Sequence, residues 1–170
     1  AVNPVNGSII LIGTSNMGLW RSTDSGSTWT RMNNFLPSAT NFVLYHPRPA
    51  GSTSSNVPVF AAGNTLTGPS LWRSDDNGST WTSVANQPGL TTGAEMMAIQ
   101  GSFDAAGVFY STWGDQTGPS NGQSRYQVWK LAANGQTWTL IQPPTGQGGF
   151  SGISAAVSYT HLTLPTKRIV

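Results

Sequence analysis

The sequence predicts an all-β fold: about three four-stranded blades of a β-propeller. Two observations carry this. The twelve residues Leu19–Thr30 return almost verbatim as Leu71–Thr82 and, in a more worn copy, as Val128–Thr139. Each copy keeps a Trp, a Gly six positions on, and a second Trp nine positions after the first; Trp29 to Trp81 is 52 residues and Trp81 to Trp138 is 57. Between the copies the chain breaks into short apolar runs bounded by Gly, Pro, Asn and Ser, with no long amphipathic helical pattern. Self-similarity at a period near 50 residues, with four strand-length runs per period, is the pattern of propeller blades.

In chain order, Ser8–Gly13 reads as a strand, Thr14–Gly18 as a turn and Leu19–Ser22 as the next strand, after which the repeated box turns the chain into Thr28–Met32. Asn41–Tyr45 opens the second repeat and is ended by Pro47 and Pro49; a Gly/Ser-rich loop leads to Val57–Ala62 and then to the box strands. The third repeat runs through Ala94–Ile99, Gly107–Trp113, a long polar loop, Tyr126–Lys130 and Thr137–Ile141. Phe150–Ile153 looks like the start of a fourth. The expected blades are therefore 1–35, 36–87 and 88–143, with the beginning of another at 144–156 and a partial propeller over 1–156 as a whole. The first blade lacks most of its innermost strand. The chain opens in mid-pattern at Ala1–Pro4, so its start is expected upstream. Three blades leave two sheet faces uncovered, so alone they are expected to be marginally stable and prone to associate.

Residues 157–170 continue no repeat, and Val157–Thr166 resembles a translated sequencing adapter, so this tail is read as non-native. Without its Lys167 and Arg168 the net charge falls from +2 to zero. No basic patch then remains to argue for nucleic acid or a membrane surface as a partner. Charged residues make up 8% of the chain and Cys is absent, which excludes a disulfide framework and a thiolate metal site. No apolar run reaches the ~20 residues of a membrane span. No cofactor or metal is expected.

The box explains itself without catalysis. Six of the seven Trp occupy its two repeat positions: Trp20, Trp72 and Trp129, then Trp29, Trp81 and Trp138. Such large rings serve best as anchors between neighbouring blades. Asp24 and Asp76 suit a tight hairpin whose backbone N–H groups need an acceptor, preceded by Ser22 and Ser74. Gly26, Gly78 and Gly135 supply a backbone conformation other residues enter at a cost. In the third copy Ala133 takes the Asp position, so turn and packing are expected to survive there without a carboxylate. Asp75–Gly78 is not a calcium loop, because Arg73 would stand at the first ligand position and no Glu closes the loop at Val84.

This pattern, Ser-x-Asp-x-Gly-x-Thr-Trp, resembles the Asp-box shared by sialidases, sortilin-type receptors, photosystem assembly factors and several glycosidases. Its surroundings are more specific. Ala1–Pro4, Ile10–Gly13 and Gly18–Asp24 are similar to one blade of the xyloglucanases of glycoside hydrolase family 74. The stretch Trp113–Gly122 followed by Val128–Lys130 resembles that family's Gly-Pro loop leading into Val-Trp-Lys. The resemblance covers residues 1–156. It implies an internal piece of a secreted enzyme with two seven-bladed propellers, cutting the β-1,4-glucan backbone of xyloglucan with inversion. It also implies the rest of those propellers and a polysaccharide as partners.

Two departures limit what carries over. The family's base motif, Thr-Asp-x-Gly-Gly, has its nearest local match in Thr14–Gly18, where Ser15 stands in place of the carboxylate; the family's acid lies in its second propeller. No catalytic residue is therefore assigned. Ser120–Asn121 replaces the Tyr-Asp of the Gly-Pro loop. The box hairpin is expected on one rim, and the ligand face on the other, at Thr14–Gly18, Asn64–Pro69, Gly89–Glu95 and Gly114–Gln123. Candidate substrate contacts there are Asn16, Glu95, Asp115, Gln116 and Trp113. Trp113 reads equally as a stacking platform for a sugar ring or as a cap on the blade edge. Cleavage by Glu95 with Asp115 is the lesser reading. His46, without a nucleophile motif, reads as structural. The alternative for the whole chain is a non-catalytic Asp-box propeller that binds a glycan or a protein. A sialidase is weaker, because Arg21 and Arg73 are box neighbours and leave only Arg31, Arg48 and Arg125 for a carboxylate-binding triad.

Overall fold

The structure, a computed structural model, describes residues 1–47, 53–65, 68–91, 96–115 and 127–141. Three antiparallel sheets follow one another along the chain. The first contains β1 (Ile10–Gly13), β2 (Leu19–Ser22) and β3 (Thr30–Arg31) in that order. The second contains β4 (Ala39–Tyr45), β5 (Val59–Asn64), β6 (Leu71–Ser74) and β7 (Thr82–Ser83), again in chain order. After a single helical turn, α1 (Pro88–Thr91), the third holds β8 (Met96–Phe103), β9 (Phe109–Asp115), β10 (Gln127–Leu131) and β11 (Trp138–Ile141). Where β1 has no full inner partner, Val2 bridges Ile10 and the Asn3 N–H donates to the Ile9 carbonyl at 2.9 Å. That is the remnant of an innermost strand. The fourth repeat and the tail lie outside the described residues.

Why the sheets stack follows from the alternation of side chains along a strand. In β5, Val59 and Ala61 face the first sheet while Phe60 and Ala62 face the third, and all four are buried. The middle sheet is thus covered on both faces. One seam joins Leu11, Leu19, Met32 and Phe35 to Val59, Ala61, Trp72 and Trp81, with Phe35 meeting both Trp rings edge-on at 6.0 and 5.8 Å. The other joins Phe60, Ala62 and Leu71 to Ala98, Phe103, Phe109, Trp113 and Leu131. Phe60 stacks on Phe109 at 4.7 Å there.

The Trp anchors differ in depth. Trp72 and Trp81 are buried, whereas Trp20, Trp29, Trp129 and Trp138 are half-buried. The first ring of the first two copies steadies the turn before its own strand: Trp20 Nε1 donates to the Met17 carbonyl and Trp72 Nε1 to that of Pro69, both at 3.2 Å. Their second ring closes the box hairpin, as Trp29 Nε1 donates to Gly26 O at 3.0 Å and Trp81 Nε1 to Gly78 O at 3.1 Å, whereas Trp138 Nε1 in the third copy donates to Ala85 O at 3.1 Å.

Two elements depart from the sequence reading. β8 extends to Phe103 rather than ending at Ile99, with a register shift between Ala98 and Gln100. Gly101 permits this, since a Cβ there would stand 2.8 Å from the Phe109 ring and 3.0 Å from that of Phe42. The outer strands β3 and β7 are only two residues long, shorter than expected.

Candidate functional site

Antiparallel pairing sorts the loops onto two rims. The box hairpins after β2, β6 and β10 and the β8–β9 hairpin lie at one end of the strands. The Thr14–Gly18 turn after β1 and the link from β3 to β4 lie at the other end, as do the described residues that follow β5 and β7.

At the box rim, side-chain oxygens hold the hairpins. Asp24 Oδ1 accepts the Thr28 N–H at 2.8 Å and the Ser22 hydroxyl at 2.8 Å, and Oδ2 accepts the Thr28 hydroxyl at 2.6 Å. Ser22 Oγ in turn accepts the Gly26 N–H at 2.8 Å. Asp76 repeats the pattern with Thr80, Ser79 and Ser74. The Thr28 hydroxyl, its N–H and the Ser22 hydroxyl hold the Asp24 carboxyl down at about 2. Burial pushes Asp76 up, but donors from Thr80, Ser74 and Ser79 outweigh it and leave the carboxyl below its ordinary value. Both groups are acceptors in fixed turns, and neither is poised to exchange a proton near neutrality.

In the third copy the work of the missing carboxylate passes to the next residue. Asn134 Oδ1 accepts the N–H groups of Gln136 and Thr137 at 3.0 Å each, and its Nδ2 donates to Thr137 Oγ1 at 2.8 Å. Gly26, Gly78 and Gly135 all have positive φ, at 92°, 83° and 70°.

On the opposite rim the Thr14–Gly18 turn is built in detail. Thr14 Oγ1 accepts the Met17 N–H at 2.9 Å and donates to the Gly18 carbonyl at 2.8 Å. Thr14 N also donates to Gly18 O at 3.0 Å, Gly18 N to Ser38 O at 2.6 Å, and Thr40 N to Thr14 O at 2.8 Å. With its backbone tied to both sheets, the turn presents Ser15, Asn16 and Met17 to solvent. Arg31 lies alongside Gly18, and Leu36 is exposed nearby on the link to β4. A fixed tip carrying a hydroxyl, a carboxamide and an apolar chain beside a guanidinium can offer donors, acceptors and an apolar surface to a polyhydroxylated ligand.

The other candidates fare differently. Trp113 is fully buried, so the stacking-platform reading is corrected: it offers no ring face to a ligand. Its ring meets Trp138 edge-on at 5.6 Å, and its Nε1 donates to Ser111 Oγ at 2.6 Å. The reason is register. Phe109, Ser111 and Trp113 alternate in phase with Val59, Ala61 and Gly63 of the preceding sheet, the set that faces the previous blade. The alternation is present in the sequence, but which face meets the neighbouring blade is set only when the sheets stack. Asp115 ends β9 opposite Met96, one residue after Glu95. Its side chain, Gln116 and Glu95 lie outside the described residues.

Sequence reasoning missed three residues. Gln87 is buried, accepts the N–H groups of Ser70 and Leu71, and donates to the carbonyls of Leu71 and Val84. Asn3 and Asn77 are buried and bonded to each other at 2.8 Å across the first seam. His46 is structural: its ring nitrogens sit 2.7 Å from Pro47 O and 3.0 Å from Gly107 O, and its ring meets Phe103 edge-on at 4.9 Å.

The described carboxylates all lie on the box rim. Asp24 and Asp76 hold their hairpins, Asp75 pairs with Arg73 at 2.7 Å, and Asp104 caps the β8–β9 hairpin through the N–H groups of Ala106 and Val108.

Among curated proteins, the chain is 30% identical over 161 residues to the xyloglucanase Xgh74A of Acetivibrio thermocellus, covering 84% of this chain and 18% of that protein. It is 31% identical over 179 residues to a xyloglucanase of Hypocrea jecorina, covering 90% of this chain and 20% of that one. Among solved structures, the GH74 enzyme of Niastella koreensis superposes with a TM-score of 0.65 at 29% identity, over 88% of this chain and 22% of the other. The GH74 xyloglucanase of Xanthomonas campestris gives 0.60 at 27% identity, over 89% and 23%. No family model matches the chain. The chain spans about a fifth of the length of the curated relatives it matches. Sequence and fold together make it a xyloglucanase-like β-propeller chain of the glycoside hydrolase family 74 type.

Proposed function

We propose that this chain is a section of a secreted glycoside hydrolase that degrades xyloglucan or a related β-1,4-glucan by inverting endo-cleavage. Residues 1–35, 36–87 and 88–143 are successive blades of a seven-bladed ring in this reading, and they contribute substrate subsites. The observation that carries the subsite role is the Thr14–Gly18 turn, whose backbone is fixed by both neighbouring sheets while Ser15, Asn16 and Met17 stay open to solvent. The names of the relatives support the substrate class. An inverting pair needs two carboxyls about 6.5–9.5 Å apart across a water. The described carboxylates are committed to backbone or to Arg73 on the far rim, so the reading places the acid and base outside the described residues.

The test has two arms. A protein carrying this chain in a closed ring is incubated with xyloglucan and assayed for new reducing ends. The chain itself is titrated with xyloglucan oligosaccharides, where Asn16→Ala is expected to weaken binding several-fold without lowering the melting temperature. Binding with no reducing ends released would instead favour the second reading, a non-catalytic propeller that holds a glycan. That reading draws on the same commitment of Asp24, Asp75, Asp76 and Asp104.

A further inference from the structure

The repeat makes the two seams directly comparable, and they differ at the position of Asn77. Register equates Leu11 with Phe60, since they pair with Arg21 and Arg73. Asn3 corresponds to His46, whose N–H groups meet the Ile9 and Pro58 carbonyls in the same way. Asn77 corresponds to Asn134.

At the first seam, Asn77 fills the space between these positions. Its Oδ1 accepts Asn3 Nδ2 at 2.8 Å and the Val57 N–H at 2.7 Å. Its Nδ2 donates to Ser55 O at 3.1 Å and Asn56 Oδ1 at 3.0 Å. Its backbone carbonyl accepts Arg21 Nε at 3.0 Å. At the second seam no described residue enters in the same way. Asn134 is exposed and spends its carboxamide on its own hairpin, and Ala133 replaces the box carboxylate. A cleft of about 210 Å³ is left, bounded by His46, Phe60, Arg73, Gly107, Phe109 and Ala133 among others.

The groups around it are selective. Arg73 lies over the Phe60 ring, its guanidinium carbon 5.6 Å from the centroid. Its Nε and Nη2 are held by Asp75 Oδ1 at 2.9 and 2.7 Å, while Nη1 has no hydrogen-bond partner among the described residues. Both nitrogens of His46 are occupied by carbonyls. The cleft therefore has an aromatic floor and, among the described side chains that line it, one open donor, on a cation. The Arg73–Asp75 pair is solvated, and such pairs hold little net energy, so a second anion can compete with Asp75 for the guanidinium.

We propose that this cleft binds a small carboxylate with a flat apolar body, the carboxylate on Arg73 Nη1 and the body against Phe60 and Phe109. The arrangement copies what Asn77 does one repeat earlier, where an oxygen meets the arginine and the rest of the group fills the seam. At ~30 Å³ per water the cleft has the room of roughly seven waters, enough for a single six-membered ring bearing an acid. It opens at the box rim, away from the Thr14–Gly18 turn, so its occupation is independent of the polysaccharide reading.

Sodium benzoate and its neutral isostere benzamide serve as probes, titrated into the full chain and followed by amide NMR. Benzoate is expected to shift Gly107, Val108, Ala133 and Gly135 saturably in the millimolar range, at least tenfold more tightly than benzamide, and to leave Ser15 and Asn16 unmoved. Arg73→Gln should remove the preference for the acid. Ala133→Leu, which fills the cleft without touching a charge, should abolish binding of both probes, with thermal melting as the check that each variant is folded. The proposal is overturned by the absence of saturable shifts, by equal affinity for benzamide, or by a folded Ala133→Leu variant that binds benzoate as the parent does.

Discussion

Asp76 and Asn134 meet the same need with different chemistry. A tight hairpin leaves backbone N–H groups without partners, and a short side-chain acceptor restores them. Asp76→Ala strips acceptors from Ser79 N, Thr80 N, the Thr80 hydroxyl and Ser74 Oγ, and is expected to cost about 1–2 kcal/mol in chemical denaturation. Ala133→Asp should gain little, because Asn134 already serves the two N–H groups. The same carboxylates set an acid limit. A carboxyl held below its unfolded value stabilises the fold above that value and ceases to as pH falls through the folded one. Unfolded Asp titrates near ~3.9, and Asp24 is held at about 2. The melting temperature should therefore fall between those limits, and Asp24→Asn with Asp76→Asn should flatten the fall. The carboxylates' role was legible from the turn pattern. The Asn134 substitution was not, because alignment on Trp and Gly puts Ala133, rather than Asn134, under the Asp.

Individual strands were largely legible, and their ends were not. Leu19–Ser22 and Leu71–Ser74 appear where the repeat puts them, because the alternation of buried and half-buried positions is local. β8 runs on past Ile99 because Gly101 lets the Phe42 and Phe109 rings approach, a fact about side chains distant in sequence. The link carrying Gln87 is the clearest case of an element decided by tertiary contact. Nothing in its sequence marks it, yet one buried carboxamide satisfies two N–H groups and two carbonyls beside β6. Gln87→Leu keeps the bulk and orphans those groups. It is expected to cost about 2–4 kcal/mol, more than an exposed Gln136→Leu control, in the same denaturation assay.

At the scale of the molecule, stability resides in the seams. Trp81 is buried against Phe35, and Trp81→Ala is expected to cost about 3–5 kcal/mol. Trp29, its repeat equivalent, is half-buried, and Trp29→Ala should cost less than half as much by the same measurement. The sequence by itself determined the all-β blades, the box hairpins and the likeness to family 74. The blades and hairpins follow from the repeat and its turn chemistry, and the likeness from the motifs at Gly18–Asp24 and Trp113–Lys130. Which face of each strand meets which neighbour was decided only when sheets stacked. Packing sent Trp113 into the second seam instead of toward a ligand, placed Asn77 across the first, and left the Arg73 cleft open where Asn134 stayed outside. Burial is a property of the pair of surfaces, and a single repeat does not encode its partner.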